Sequence, residues 1–193
     1  MEWKLTIIMP IINSFKMIRI YTVLLIGLFT VSCNNTKSKT DDSFGVVLND
    51  DEKSQMVQKL FEAVEAEDAS YLQNIFSDDL KHTNPDGVVI NKEEFMTGID
   101  NIFDMFDNIK FKKSEYEEYE NLEIETTYYK NGKIWTNIWS EMSAKGNYSG
   151  NEMNFRFHIS YLWDGDKIIE EVQFFNPAAF NDEGQAKEMS LEK

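Results

Sequence analysis

The residue pattern of this chain predicts an α+β fold, with helices first and then a run of antiparallel strands, the helices packed on one face of the sheet. Three observations carry the prediction. Apolar residues recur at helical spacing in the first half of the body, they alternate from about residue 122 onward, and turn signals separate the alternating runs. No βαβ alternation, internal repeat or Gly-rich phosphate loop occurs in the sequence, which sets aside Rossmann-type and P-loop folds.

The elements follow in order. Met56, Val57, Leu60, Phe61 and Val64 share one helical face, and Asp50 and Asp51 stand ready as N-cap. A second short helix follows Asp68 and buries Leu72, Ile75 and Phe76. Leu80 to Asn84 reads as a short extended piece, closed by the turn sequence Asn84-Pro85-Asp86-Gly87. Asn91 and Glu94 form a variant capping box before a third helix with the apolar stripe Phe95, Met96, Ile99, Ile102, Phe103 and Phe106. Strand character then takes over. Leu122 to Tyr129 joins Ile134 to Ala144 through Asn131-Gly132, a dipeptide that favours a tight hairpin. Met153 to Trp163 alternates strictly, and Asp164-Gly165 turns the chain into a last strand, Lys167 to Phe175. Beyond Asn181 the sequence is charged and reads as a frayed tail.

Composition limits the function classes. The 193 residues hold 34 Asp+Glu against 19 Lys+Arg, one Cys and two His, with 42% apolar and 13% aromatic residues. That is enough apolar material for a core, so wholesale disorder is excluded. The first 32 residues carry a net +2, which leaves −17 on the rest and makes nucleic acid a poor partner. A single cysteine allows no internal disulfide, two histidines make no histidine-rich metal site, and no cofactor or metal is implied. The acidic clusters Asp41-Asp42, Asp50-Asp51-Glu52 and Glu115-Tyr116-Glu117-Glu118 lack calcium-loop spacing and read as solvated surface.

The N-terminus reads as an address. Ile20 to Val31 is a 12-residue apolar run behind Lys16 and Arg19, too short to span a bilayer and of the length of a secretory h-region. Met17 as the true start would give a compact signal peptide. The run ends in Thr30-Val31-Ser32-Cys33, which resembles a bacterial lipobox with Thr30 in the place more usual for Leu. The resemblance implies cleavage before Cys33 and diacylation of its thiol, more than one chain being needed for stable anchoring. Asn34 after the cysteine resembles outer-membrane sorting. The expected organisation is a signal peptide over 1–32, a lipid-anchored flexible linker over 33–49, a folded domain over 50–181 and a charged tail over 182–193. The protein is therefore expected at the bacterial cell envelope, with the membrane reached through the lipid on Cys33 and an acidic head standing off it.

From Met56 to Ile99 the sequence resembles the opening of nuclear transport factor 2-like proteins, which include SnoaL-like and ketosteroid isomerase-like members. The shared features are the first helix, the break at Glu67-Asp68, the short helix ending in Asp78-Asp79, the Pro85-Asp86-Gly87 turn and a third helix near Gly98. The close, Tyr161 to Pro177, resembles the last hairpin of that superfamily. The resemblance covers about residues 52–181 and implies a cone-shaped roll: a curved, mostly antiparallel sheet with an apolar cavity at its wide end. Fold is weak evidence for function in such a superfamily.

Isomerase chemistry needs a carboxylate base and an oxyanion hole of Tyr plus protonated Asp. At the matching positions this chain has Asn84 for the base, Leu60 for the tyrosine and a residue near Ile159 for the acid, so that mechanism does not carry over. Asn176 likewise stands where relatives end the last strand with Asp. The candidates for chemistry are His82, which shares a strand face with Asn84, and Asp86 in the adjacent turn. His158 is expected with Arg156 on the outer sheet face. Glu171, Gln173 and Phe175 share a face whose direction the sequence leaves open; an inward Glu171 would reopen the catalytic case. The expected pocket is lined by His82, Asn84, Trp135, Trp139, Phe155, Phe157, Ile159, Tyr161 and Asn176, though aromatics at strand spacing also build plain core or a dimer surface.

Three functions remain open on the sequence. The first is non-catalytic binding of a small apolar or amphipathic ligand, or of a partner protein, by an envelope lipoprotein. The second is a SnoaL-like lyase or isomerase using His82 with Asn84. The third is an interaction module that forms a homodimer through its sheet.

Overall fold

A computed structural model describes residues 44–113 and 122–192. The signal peptide with its Met17 start, the lipobox with Cys33, the linker as far as residue 43 and the cluster Glu115 to Glu118 lie outside the described residues. Phe44–Lys193 forms one compact unit.

Helix α1 (Glu52–Glu65) starts where the Asp51 carboxylate accepts from the backbone N–H groups of Lys53 and Ser54, at 3.2 and 3.3 Å. Two donors that the first turn leaves without helical partners are satisfied in this way. Helix α2 (Ala69–Ile75) is capped by Asp68, which accepts from Ser70 N at 3.0 Å. Helix α3 (Lys92–Met105) carries the full capping box: Asn91 Oδ1 accepts from Glu94 N at 3.0 Å, and Glu94 Oε2 accepts from Asn91 N at 3.1 Å.

Eight strands form one sheet: β1 (Gly45–Leu48), β2 (Phe76–Thr83), β3 (Val89–Ile90), β4 (Phe106–Phe111), β5 (Glu123–Tyr129), β6 (Ile134–Gly146), β7 (Glu152–Asp164) and β8 (Lys167–Phe175). The order is β1-β5-β6-β7-β8-β2-β3, with β4 also on β6, and every pair is antiparallel except β2 with β8. Register shifts interrupt β2 on β8, β4 on β6 and β7 on β8. Such bulges bend strands, which a sheet must do to curl over a helical layer. One apolar cluster fills the space between, including Val57, Leu60, Leu72, Ile99, Ile138 and Ile168.

The architecture is the α+β arrangement that the sequence predicts, and three local expectations are corrected. Phe76 and Phe106 begin strands β2 and β4 instead of closing helices, since a buried phenylalanine fits either period at an element boundary. Gly45–Leu48, expected as linker, pairs with β5 as an edge strand. The expected frayed tail forms helix α4 (Ala178–Leu191). Phe180 and Glu183 tie it to the sheet, and Lys187 pairs with Asp104 on α3 at 2.8 Å. Phe180 packs on Phe106, Phe155 and Phe175 at ring distances of 5.2, 5.4 and 5.5 Å. The buried Glu183 carboxylate accepts from the backbone N–H groups of Tyr148 and Ser149, at 2.6 and 3.2 Å, and from the Ser149 hydroxyl. Gly146 makes room for it, because a Cβ there would lie 2.1 Å from Glu183 Oε2.

Candidate functional site

The site is set by one row across the inner face of the sheet. Strand pairing aligns His82 on β2, Glu171 on β8, Tyr161 on β7, Thr136 on β6 and Thr126 on β5. Paired residues share a face, and all five are buried, none more than 2% exposed. Four are polar residues of kinds that rarely go inside without partners, and Tyr161 carries a phenol.

The threonine end of the row is closed. Thr126 and Thr136 hydroxyls meet at 2.9 Å, Thr136 accepts from Trp163 Nε1 at 2.8 Å, and Thr126 meets the Ser54 hydroxyl at 2.9 Å. Ser54 donates to Asp51 at 2.5 Å, and the Tyr128 hydroxyl also donates to Asp51. Burial pushes the Asp51 carboxyl up, but the hydrogen bonds from Ser54, Tyr128 and the first helical turn outweigh it and hold the group below its ordinary value. The same contact, with burial, pushes the Tyr128 hydroxyl up to about 12.

The His82 end is different. Its Nε2 lies 3.1 Å from Asn84 Oδ1. A carbonyl oxygen only accepts, so the proton of this bond sits on Nε2. In the neutral ring Nδ1 is then a bare acceptor. Glu171 Oε1 lies 3.6 Å from it, an ion-pair distance beyond hydrogen-bond reach. Oε1 is occupied by Gln173 Nε2 at 2.7 Å. Neither His82 Nδ1 nor Glu171 Oε2 has a hydrogen-bond partner in the protein, and both are buried. The Phe95 ring covers His82 at 4.5 Å, so helix α3 delivers apolar cover here and no donor. Burial, and then the Glu171 charge, push the Tyr161 hydroxyl well above its ordinary value.

These groups stand on the wall of a cavity of about 440 Å³, inside the range of about 300–1,000 Å³ typical of small-molecule sites. Helices α1 and α3 supply Leu60, Phe61 and Ile99, and the sheet supplies Met142, Phe157 and Phe175. Asp86 and Asn181 are exposed and mark its opening. Among the described residues lining it there is no Lys or Arg.

Of the residues expected to line a pocket, His82, Asn84, Phe155, Phe157, Ile159 and Tyr161 are found there, and Asp86 is at the rim, where its side chain also accepts from Val88 N at 3.0 Å. Trp135 and Trp139 are not. They project from the opposite face of β6 to Thr136 and Ile138, and Trp139 is 40% exposed. Both faces of β6 are apolar enough to be mistaken for the inner one. Asn176 also lies off the cavity: it is exposed, and its Oδ1 accepts from Ala178 N at 3.1 Å at the start of α4. His158 is on the outer face, stacked between Trp139 and Phe174 at 4.7 and 5.6 Å. Burial there lowers its imidazole, against the opposing pull of the Ile138 carbonyl and the Glu125 charge. The face that the sequence leaves open turns inward, so Glu171 and Gln173 are wall residues, and the sequence carries no sign of Phe180 and Asn181 from α4.

No family model and no curated protein matches this chain. Solved structures do. AclR from Streptomyces galilaeus is 10% identical, over 69% of this chain and 96% of its own, with a TM-score of 0.53. PrhC from Penicillium brasilianum is 9% identical, over 71% and 88%, with a TM-score of 0.52. A protein from Catenulispora acidiphila with a ketosteroid isomerase-like fold is 10% identical, over 62% and 84%, with a TM-score of 0.48. At such identities the likeness speaks for fold alone. The chain has the nuclear transport factor 2-like fold.

Proposed function

We propose that this chain is an envelope lipoprotein, anchored through Cys33, whose cavity binds a small, mostly apolar molecule carrying one polar group. One observation carries the binding reading: His82 Nδ1 and Glu171 Oε2 are buried at the wall of an apolar cavity with no hydrogen-bond partner in the protein. A buried polar atom left unpaired costs about 1–3 kcal/mol, more if charged, and a ligand that completes the pair removes that cost. The lipobox-like Thr30-Val31-Ser32-Cys33 supports the anchor.

The test is native mass spectrometry of the full chain, extracted gently from its own host. Binding is expected to show as a non-covalent adduct of reproducible mass that His82→Leu removes. A bare mass under conditions that preserve known lipoprotein–ligand complexes would contradict it. The anchor is tested separately: Cys33→Ser should release the chain from membranes, and retention would overturn that part.

A second reading, a lyase or isomerase, is favoured by the inward Glu171, a carboxylate beside His82 in a dry site. It requires turnover of the adduct molecule that falls by about 100-fold or more in His82→Ala. An adduct recovered unchanged after incubation with the purified protein would leave the binding reading alone.

A further inference from the structure

We propose that the polar group this cavity selects is a primary ammonium, so that its ligands are small organic amines with an apolar body. The inference rests on the binding reading above and adds the chemical class. Its ground is that both unpaired atoms are acceptors. With the Nε2 proton committed to Asn84, the neutral His82 ring offers a lone pair at Nδ1, and Glu171 Oε2 is a carboxyl oxygen. The two residues are paired in register on adjacent strands, and the carboxylate's other oxygen, Oε1, lies 3.6 Å from His82 Nδ1, so both unpaired atoms front the same small volume.

Ligand chemistries differ in how many donors they bring. A carboxylate has none, a hydroxyl has one, and an ammonium has three. Only a group with two or more donors satisfies both acceptors, and an ammonium also meets the carboxylate with a charge-assisted bond. No Lys or Arg among the described lining residues favours an anion, and Glu171 and Asp86 oppose one. The Phe95 ring lies 4.5 Å from the His82 ring, and Tyr161 stands opposite Glu171 on the neighbouring strand. Aromatic faces attract an ammonium and repel a carboxylate. Gln173, by donating to Glu171 Oε1, turns Oε2 into the free oxygen and acts as a positioning residue.

The test uses the full chain in maltoside micelles at about 150 mM salt, which screens the protein's general negative charge. Benzylamine, benzyl alcohol and benzoate, three probes of one shape, are titrated by calorimetry. Benzylamine is expected to bind at least about tenfold more tightly than benzyl alcohol, as a charge-assisted bond warrants, with benzoate weakest. In Glu171→Gln the amine preference should fall to about threefold or less, with the far-UV circular dichroism spectrum of wild type showing that the variant is folded. His82→Leu, which removes the other acceptor, should reduce it in part.

Alcohol or benzoate binding as tightly as the amine overturns the inference and leaves the cavity reading intact. So does an amine preference undiminished in Glu171→Gln, because the selecting charge would then lie elsewhere. If no probe enters, the inference fails and the cavity reading fails with it. The wild-type ranking decides the matter even if the variants do not fold.

Discussion

Two polar clusters stand at opposite ends of one row on the sheet's inner face, and they are finished in opposite ways. At the threonine end, Thr126 and Thr136 meet Ser54, Asp51 and Trp163, and every hydroxyl is engaged. At the other end, His82 and Glu171 meet Asn84 and Gln173, and one acceptor on each is left over. The difference comes from the helical layer. The start of α1 lays an N-cap and a serine over the threonines, while α3 lays Phe95 over His82. A fully paired buried network rigidifies a fold, whereas a half-paired one is unfavourable unless something else completes it. The first cluster is read as structure and the second as a binding site on that ground.

The sharpest way to break this comparison is to damage each end and measure unfolding in urea. Thr136→Val strands Trp163 Nε1 and a bond of Thr126 in a dry core, and should cost about 2–3 kcal/mol. Glu171→Gln keeps an oxygen for Gln173 and removes a carboxylate that had no full set of partners, so stability should move by no more than about 0.5 kcal/mol in either direction. Equal losses at both ends would erase the distinction. A smaller effect is expected at α4. Glu183→Gln weakens three hydrogen bonds into the β6–β7 turn and should cost about 1 kcal/mol, read from the same curves.

Acid sharpens the contrast further. At Asp51 and Glu183 burial pushes the carboxyl up, but the hydrogen bonds outweigh it and hold both below their ordinary values of 3.8 and 4.5. A carboxyl that is more acidic in the folded chain adds stability above its unfolded value, and that stability is lost as pH falls through the folded one. The urea midpoint should therefore drop on going from pH 5 to about pH 3, and Glu183→Gln should flatten part of that slope. A midpoint insensitive to that step would deny these two carboxylates their structural role. The smallest effect belongs to the outer face: Trp139→Ala should leave benzylamine binding within about twofold of wild type, since the sheet stands between Trp139 and the cavity.

The sequence makes some of this site legible and hides the rest for identifiable reasons. His82 and Asn84 are two residues apart in a strand, so a shared face follows from the period alone. The strict alternation of β7 places Phe155, Phe157, Ile159 and Tyr161 together in the same way. Glu171 could not be reached by counting. Asp164 pairs with Lys167, and an unbroken register from there would set Tyr161 opposite Glu170. The bulge between Leu162 and Trp163 shifts the pairing by one residue, so that Tyr161 faces Glu171 and the carboxylate turns inward. The tryptophans of β6 misled for a different reason, since ring size signals burial without saying on which face. Helix α4 is hidden because its charged residues mask Phe180 and Glu183, which dock it on the sheet.

The most direct test of the open end is a two-bond ¹⁵N–¹H correlation spectrum of the imidazoles, which is tractable because the chain has two histidines. The expected result is a His82 ring protonated on Nε2, with an unprotonated Nδ1 whose resonance moves on addition of benzylamine. A proton on Nδ1 in the free protein, or an Nδ1 signal that ignores a ligand shown to bind, would mean that the acceptor is not waiting for one.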